Sequence, residues 1–340
     1  MASTRFKGCS LKNGLIAMKI FLLGAHEQNA GPSNVNKSLI KNSRGYLAYT
    51  HSKNRALRAA ETILRIFSSD VILISGSCAK RYLRIIKLLG KKYYYLMHGC
   101  IEYENEINKL GLSDTAIKTE KEILEGAEKI ICVSEVYSKW VKERFPQYKY
   151  KITFVNNGVN IKQRKKCEKE PYTLAIAGGN RRIKNNLEVC HAVDILNNKG
   201  YNFKLFIFGR WYPDNDAIKE NDHIIICGHL NKEEYYEKLD KIDCFIINSE
   251  VESFGLVVAD ALDCNCSLLM SKNAGCQSIL KVKNEDIIQN PHNIDELTTK
   301  ILYVMDHPNS DRLYNSVDRE NCSEQSSYKK IIDIIEGLGM

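Results

Sequence analysis

Proline is scarce, at six in 340 residues, and no short internal repeat or low-complexity tract is visible, so the chain does not read as a solenoid or an extended arm. No window approaches the roughly 18 uncharged apolar residues that a membrane span needs. The stretch before Met18 has basic residues but neither an apolar core nor a small-residue cleavage site, so it does not read as a signal peptide. Residues 1–17 are expected to be an extension outside the fold, because Met18-Lys-Ile-Phe-Leu-Leu-Gly24 reads as a natural first strand. The 12 cysteines include no CxxC pair. Zinc needs four closely spaced ligands, and only Cys264-Asn-Cys266 comes near, so no metal site is expected and the cysteines read as reduced, buried thiols. Acid is also missing from one end: residues 1–100 hold 17 Lys/Arg against three Asp/Glu.

That imbalance persists further along the chain. Residues 1–160 carry 26 Lys/Arg and 13 Asp/Glu, a net of +13, whereas residues 161–340 carry 23 and 28, a net of −5. The first half is therefore expected to meet something anionic. Nucleic acid is a poor fit, since aromatic residues do not interleave the cations as base stacking would require. Lys80, Arg84, Lys87 and Lys91 recur at helical spacing beside Leu83, Ile86 and Leu89, an amphipathic stripe that suits an anionic membrane surface.

What is present is alternation. Apolar runs at Lys19–Leu23, Val71–Ser75, Tyr93–Met97, Ile130–Ser134, Ile152–Val155, Thr173–Ala177, Lys204–Phe208, Ile224–Cys227, Cys244–Asn248, Ser267–Met270 and Asp286–Gln289 are separated by amphipathic stretches. Strands apolar on both faces and separated by helices predict parallel sheets covered on each side. Asn231-Lys-Glu-Glu234 and Asn293-Ile-Asp-Glu296 are helix-start signals, and Ser327–Leu338 reads as a closing helix. The charged, proline-ended stretch Ile161–Pro171 is the best linker. The expected organisation is a domain over 18–164, a second over 165–322 and the closing helix over 323–340. At 340 residues the length suits two domains.

The strongest motif is Asn248-Ser-Glu-Val-Glu252-Ser-Phe-Gly255-Leu-Val-Val-Ala-Asp260. A strand ends, a turn follows, and a helix opens at Gly255, so the backbone of Phe254, Gly255, Leu256 and Val257 is placed for an anion or sugar hydroxyl. Glu252 and Asp260 are two acceptors spaced for sugar-nucleotide hydroxyls. Gly178-Gly179-Asn-Arg181-Arg182-Ile-Lys184 follows another strand, and cations beside glycines suit a diphosphate. These segments resemble the signature of family-4 glycosyltransferases of the GT-B fold: a glutamate, seven residues, a second glutamate, with Phe-Gly-Leu after the first. Here the second acid is Asp260. The likeness continues through Cys264-Asn265, Ser271 and Gly275, and Asn157-Gly158 matches a family turn.

The resemblance implies two Rossmann-like doubly wound domains facing a cleft. Such enzymes retain anomeric configuration and take a nucleotide sugar as substrate, with no cofactor and no metal. Lys184 with Arg181 or Arg182 would stabilise the leaving diphosphate, Glu252 would hold the sugar and Asp260 the ribose. Gly179, Gly228 and His229 would line the donor, and His98 would lie near the transferred sugar. Gly31, Ser33 and Asn34 would form an acceptor-side loop. Asp214-Asn-Asp216 imitates a metal motif but sits in turn chemistry after Pro213. The expected function is transfer from a UDP-sugar to a glycan or lipid-pyrophosphate-linked acceptor, in the cytoplasm or on the inner membrane face. A sugar-nucleotide epimerase and a non-catalytic nucleotide-sugar-binding protein are the alternatives.

Overall fold

The computed structural model describes residues 18–28, 31–162, 168–212 and 217–338. The expected extension at 1–17, the middle of the linker and the Asp214/Asp216 pair lie outside the described residues. The described residues divide into two compact units, one drawn from 18–97, 113–131 and 328–338, the other from 98–112 and 132–327.

Two six-stranded sheets carry the fold. The first contains β1 (Ile20–Leu23), β2 (Leu47–Ala48), β3 (Val71–Ser75), β4 (Lys92–Met97), β5 (Ile130–Cys132) and β6 (Ile152–Phe154), in the order β2-β1-β3-β4-β5-β6. β1 runs parallel to both β2 and β3, and β3 to β4. Every residue of β3 is buried, which is why its sequence shows a continuous apolar run and not an alternation. The second sheet contains β7 (Thr173–Ala177), β8 (Lys204–Phe208), β9 (Ile224–Gly228), β10 (Cys244–Ile247), β11 (Ser267–Ser271) and β12 (Ile287–Ile288). Its order is β12-β11-β10-β7-β8-β9, with all five pairings parallel. From the β9 edge this is the doubly wound order 3-2-1-4-5-6. The direction of winding reverses between β7 and β10, and ligands of such sheets bind at the strand carboxyl ends beside that reversal.

The helices are α1 (Gly31–Asn42), α2 (Arg55–Ser68), α3 (Lys80–Leu88), α4 (Ile101–Asn108), α5 (Asp114–Gly126) and α6 (Glu135–Arg144). They continue as α7 (Asn186–Asn198), α8 (Lys232–Leu239), α9 (Val257–Asp263), α10 (Ile294–Asp306), α11 (Ser310–Ser316) and α12 (Glu324–Glu336). Val189 and Val193 of α7 and Leu297 and Ile301 of α10 pack with Leu174, Ile176 and Ile207 of the sheet, all fully buried. Each such side chain contributes about 1.5–3 kcal/mol. This packing holds the second sheet flat against its helices and fixes where its loops emerge.

Local signals are honoured unevenly. Asn231 forms the full reciprocal cap with Glu234. Asn293 accepts from the Glu296 N–H, but the Glu296 carboxylate turns away to the N–H groups of Gln289 and Asn290. Asn265 adopts the left-handed conformation expected of it, with φ +60°. Near the closing end of the chain, Tyr94 donates to the Ile335 carbonyl at 3.2 Å, within the first unit.

Candidate active site

The loops after β7 and β10 diverge from neighbouring strands at the reversal. After β7, the N–H groups of Gly178 and Gly179 both donate to the Phe208 carbonyl at the end of β8. Gly179 has φ +60°, and a Cβ there would lie 2.0 Å from the Arg210 carbonyl oxygen, so only glycine fits. Gly179, expected to touch the donor, therefore has a packing reason of its own. The turn throws the chain outward and back through a short 3₁₀ segment, Arg182–Lys184. Ile183 is buried beneath it, Arg181 is half-buried and Arg182 is exposed. Of the two arginines, it is Arg181 that acts electrostatically on the carboxylate of Glu252, so the fold separates the pair that sequence left equivalent.

Lys184 Nζ forms an ion pair with Glu252 Oε2, with side-chain exposures of 14% and 15%. Burial pushes the Glu252 carboxyl up, but the Lys184 charge and hydrogen bond, the Arg181 charge and the Ser249 hydroxyl outweigh it and hold Glu252 below the usual glutamate range. The backbone of Glu252 is strapped on both sides: its N–H donates to the Asn273 carbonyl at 3.2 Å and its carbonyl accepts from Gly275 at 2.8 Å. A Cβ on Gly275 would lie 2.2 Å from the Ser253 carbonyl oxygen, which explains the glycine that follows β11. Two remote segments thus fix one carboxylate beside one ammonium.

Beyond Glu252, Phe254 is 1% exposed and belongs to the core, so any donor contact there would come from backbone alone. Gly255 has φ +86° and precedes the helix instead of opening it: Leu256 is the N-cap, without a side-chain cap, and α9 begins at Val257. Asp260 turns to α8, where it accepts a hydrogen bond from the Tyr236 hydroxyl. Burial raises its pKa, with Tyr236 and Lys232 opposing. The Gly228 carbonyl accepts from Gly209 at 2.7 Å, and open space lies where its Cβ would stand, next to exposed His229. His98, at the end of β4, is pushed by burial down to about 4 and is therefore a neutral imidazole at physiological pH.

One ionisable group of this site escaped the sequence reading. Glu104 of α4 is raised by burial, while the charges of Arg181 and Lys184 pull it down and that of Glu252 pushes it up. The segment Ile101-Glu-Tyr-Glu-Asn-Glu106 reads as a solvated acidic helix, and only tertiary packing singles out one of its acids.

In the first unit, Gly31 and Asn34 are exposed at the start of α1, whereas Ser33 is buried inside it. A separate cleft of about 430 Å³ opens at the carboxyl ends of β1 and β3, lined among others by His26, Glu27, Arg55, Arg58 and Arg81. Arg58 is paired with Glu27 at 2.9 Å. The expected cationic stripe is interrupted. α3 stops at Leu88 and Gly90 takes φ +59°, so Lys91 leaves the helix and donates to the carbonyls of Phe67 and Ser69. Lys80 and Lys87 both pair with Glu122, at 3.0 and 3.7 Å, and the Arg84 charge acts on the same carboxylate from further away. No group of three or more His, Cys, Asp or Glu residues able to hold a metal occurs among the described residues, and none of the helices there is long and apolar enough to cross a membrane.

The two sheets with interleaved helices define the GT-B class of fold. Residues 158–324 match the family described as "Glycosyl transferases group 1". A curated relative, an uncharacterized glycosyltransferase of Methanocaldococcus jannaschii, is 23% identical over 185 residues, and the chain spans only 50% of its length. Among solved structures, HepE of Anabaena in complex with UDP-glucose superposes with a TM-score of 0.69 at 13% identity, covering 94% of this chain and 100% of that one. Sucrose-phosphate synthase from Thermosynechococcus elongatus gives 0.65 at 14% identity, over 94% and 99%. These likenesses establish the fold, and with the family match they support a glycosyltransferase.

Proposed function

We propose that the protein is a retaining, metal-independent hexosyltransferase that moves a sugar from a UDP-sugar to a glycan or lipid-linked glycan acceptor in surface polysaccharide synthesis. The observation that carries this reading is the partly buried Lys184–Glu252 pair with Arg181, at the winding reversal of a sheet of dinucleotide-binding order. Preorganised cations at that position stabilise charge developing on a leaving diphosphate. In this reading the departing diphosphate takes the acceptor proton, Glu252 holds the sugar ring, and Asp260 reaches the ribose after exchanging its Tyr236 hydrogen bond. Arg181 and Lys184 supply the charge that a divalent ion supplies elsewhere.

Thermal unfolding with a panel of nucleotide sugars, with and without chelator, tests both the donor and the metal. A ligand at 100 times its Kd stabilises the native state by about 2.7 kcal/mol, so the true donor should raise the unfolding temperature by several degrees, chelator or not. Stabilisation by none of the panel, or only with added Mn²⁺, would overturn the reading. Conversion of the donor to its epimer without any acceptor would favour the epimerase alternative.

An anionic membrane is a second partner of this reading, on the cytoplasmic face and through the first unit. Its support is now apolar as well as charged: Leu57, Leu64 and Phe67 line one face of α2 and are 64%, 68% and 57% exposed, and Leu88 of α3 is 86% exposed. Arg55 and Arg84 are exposed cations of the same two helices. Vesicles containing anionic lipid should sediment the protein at low salt, and a Leu64→Glu, Phe67→Glu variant should stay in solution. Equal sedimentation of both proteins would exclude this face.

A further inference from the structure

We propose that Glu104 is a positioning residue whose carboxylate occupies the electrostatic place of the donor's diphosphate, so that diphosphate binding is coupled to proton uptake by Glu104. The inference rests on the reading of the 181–184 loop as the diphosphate grip.

The geometry begins with α4. The Ile183 N–H donates to Asn108 Oδ1 at 3.1 Å, which docks the cationic loop on the end of this helix. Glu104 stands one turn earlier on the same face, and its carbonyl accepts from Asn108 Nδ2 at 3.0 Å. Its carboxylate lies back over the turn that follows His98. A Cβ on Gly99 would come within 2.2 Å of Glu104 Oε1, and Gly99 lacks the positive φ that would otherwise explain a glycine. The contact places the tip of the Glu104 side chain against the Gly99 backbone. Burial and the surrounding charges, burial foremost, set the state of that carboxylate.

The charges around it can be enumerated. Arg181 and Lys184 attract Glu104 and Glu252 repels it. On α6, Arg144 is directed to Glu102 and Glu106, at 3.8 and 3.7 Å. His98 is neutral. Without donor, two cations therefore balance two carboxylates. A diphosphate adds about two further negative charges, and proton uptake by a carboxyl lowers the resulting excess. Glu252 is the wrong candidate, because Lys184 and Ser249 hydrogen-bond its charged form. Glu104 has no such bonds, and burial already favours its neutral form. Once protonated it can donate a hydrogen bond toward the group that displaced it. Because binding consumes a proton, wild-type affinity falls as pH rises above the donor-free titration of Glu104.

Calorimetric titration with inorganic pyrophosphate and with UDP decides the matter, in paired buffers of different ionisation enthalpy, from about pH 5.5 to about pH 8. Pyrophosphate probes the cations without requiring any nucleoside preference. The wild type should take up close to one proton more than Glu104→Gln, and the variant should bind about tenfold tighter near neutral pH, with a flatter pH dependence. Glu104→Ala should give the same proton difference, which separates loss of charge from altered packing. Equal proton counts and parallel pH profiles in wild type and both variants would overturn the proposal. Pyrophosphate binding without UDP binding would overturn the uridine donor and leave the Glu104 outcome to be read from pyrophosphate. Binding of neither probe by any of the three proteins would overturn both.

Discussion

Glu252→Gln should lower turnover by about 100-fold or more, with a much smaller change in donor affinity. Glutamine keeps the length of the side chain and one acceptor oxygen, so the straps from Asn273 and Gly275 should survive. What disappears is the charge that Lys184 faces. In the proposed mechanism that carboxylate acts most strongly when positive charge develops on the sugar, and an interaction made chiefly in the transition state appears in kcat and not in KM. Steady-state kinetics with the donor found by thermal screening measures this directly. A loss confined to KM would assign Glu252 to ground-state binding, and an unchanged rate would remove it from the reaction.

Lys184→Met should be more damaging still, because it affects folding and chemistry together. Removing one partner of a buried pair leaves the other charge uncompensated, at a cost of about 3–5 kcal/mol when the site cannot relax. The carboxyl left behind also changes. With the ammonium gone, burial, already the largest single influence on Glu252, loses its main opponent, and the pKa rises. A reaction that needs the carboxylate then fails from a higher pH downward, so the acid limb of the rate profile shifts toward neutrality. The diphosphate loses its firmest cation, and kcat/KM should fall by about 10²–10³-fold. Chemical denaturation, the pH profile and kcat/KM are three separate readouts. A variant of wild-type stability with an unmoved acid limb would show that the pair does not control Glu252.

The sheets were legible because buried parallel strands need apolar residues on both faces, and runs such as Val71–Ser75 and Thr173–Ala177 have them. β2 was not, since its two residues, Leu47 and Ala48, are too few to show any period. The stripe from Lys80 to Lys91 misled at its end because a helical projection assumes a helix, and Gly90 ends it. Glu122, which pairs with both Lys80 and Lys87, lies on α5, far from the stripe in sequence. Lys184 and Glu252 were legible because glycine turns and a strand end marked them locally. Glu104 lacked any such mark, and its place follows from the Asn108 contact with Ile183, which is tertiary. The hydrogen bond between Tyr236 and Asp260 was invisible for the same reason.

The back-to-back turns at Gly178, Gly179 and Gly209 have an evolutionary corollary. Their Cβ positions run into one another's backbone or into the Lys184 stem and the Arg210 carbonyl, so this floor tolerates almost no substitution. Change must be accommodated elsewhere: exposed Arg210 and His229 follow β8 and β9 and face no such steric veto. A lineage diversifying its sugar or its base would therefore vary the rim and leave the floor untouched. Descendants with quite different donors should share the same three glycines, and libraries meant to alter donor choice would be concentrated on the rim.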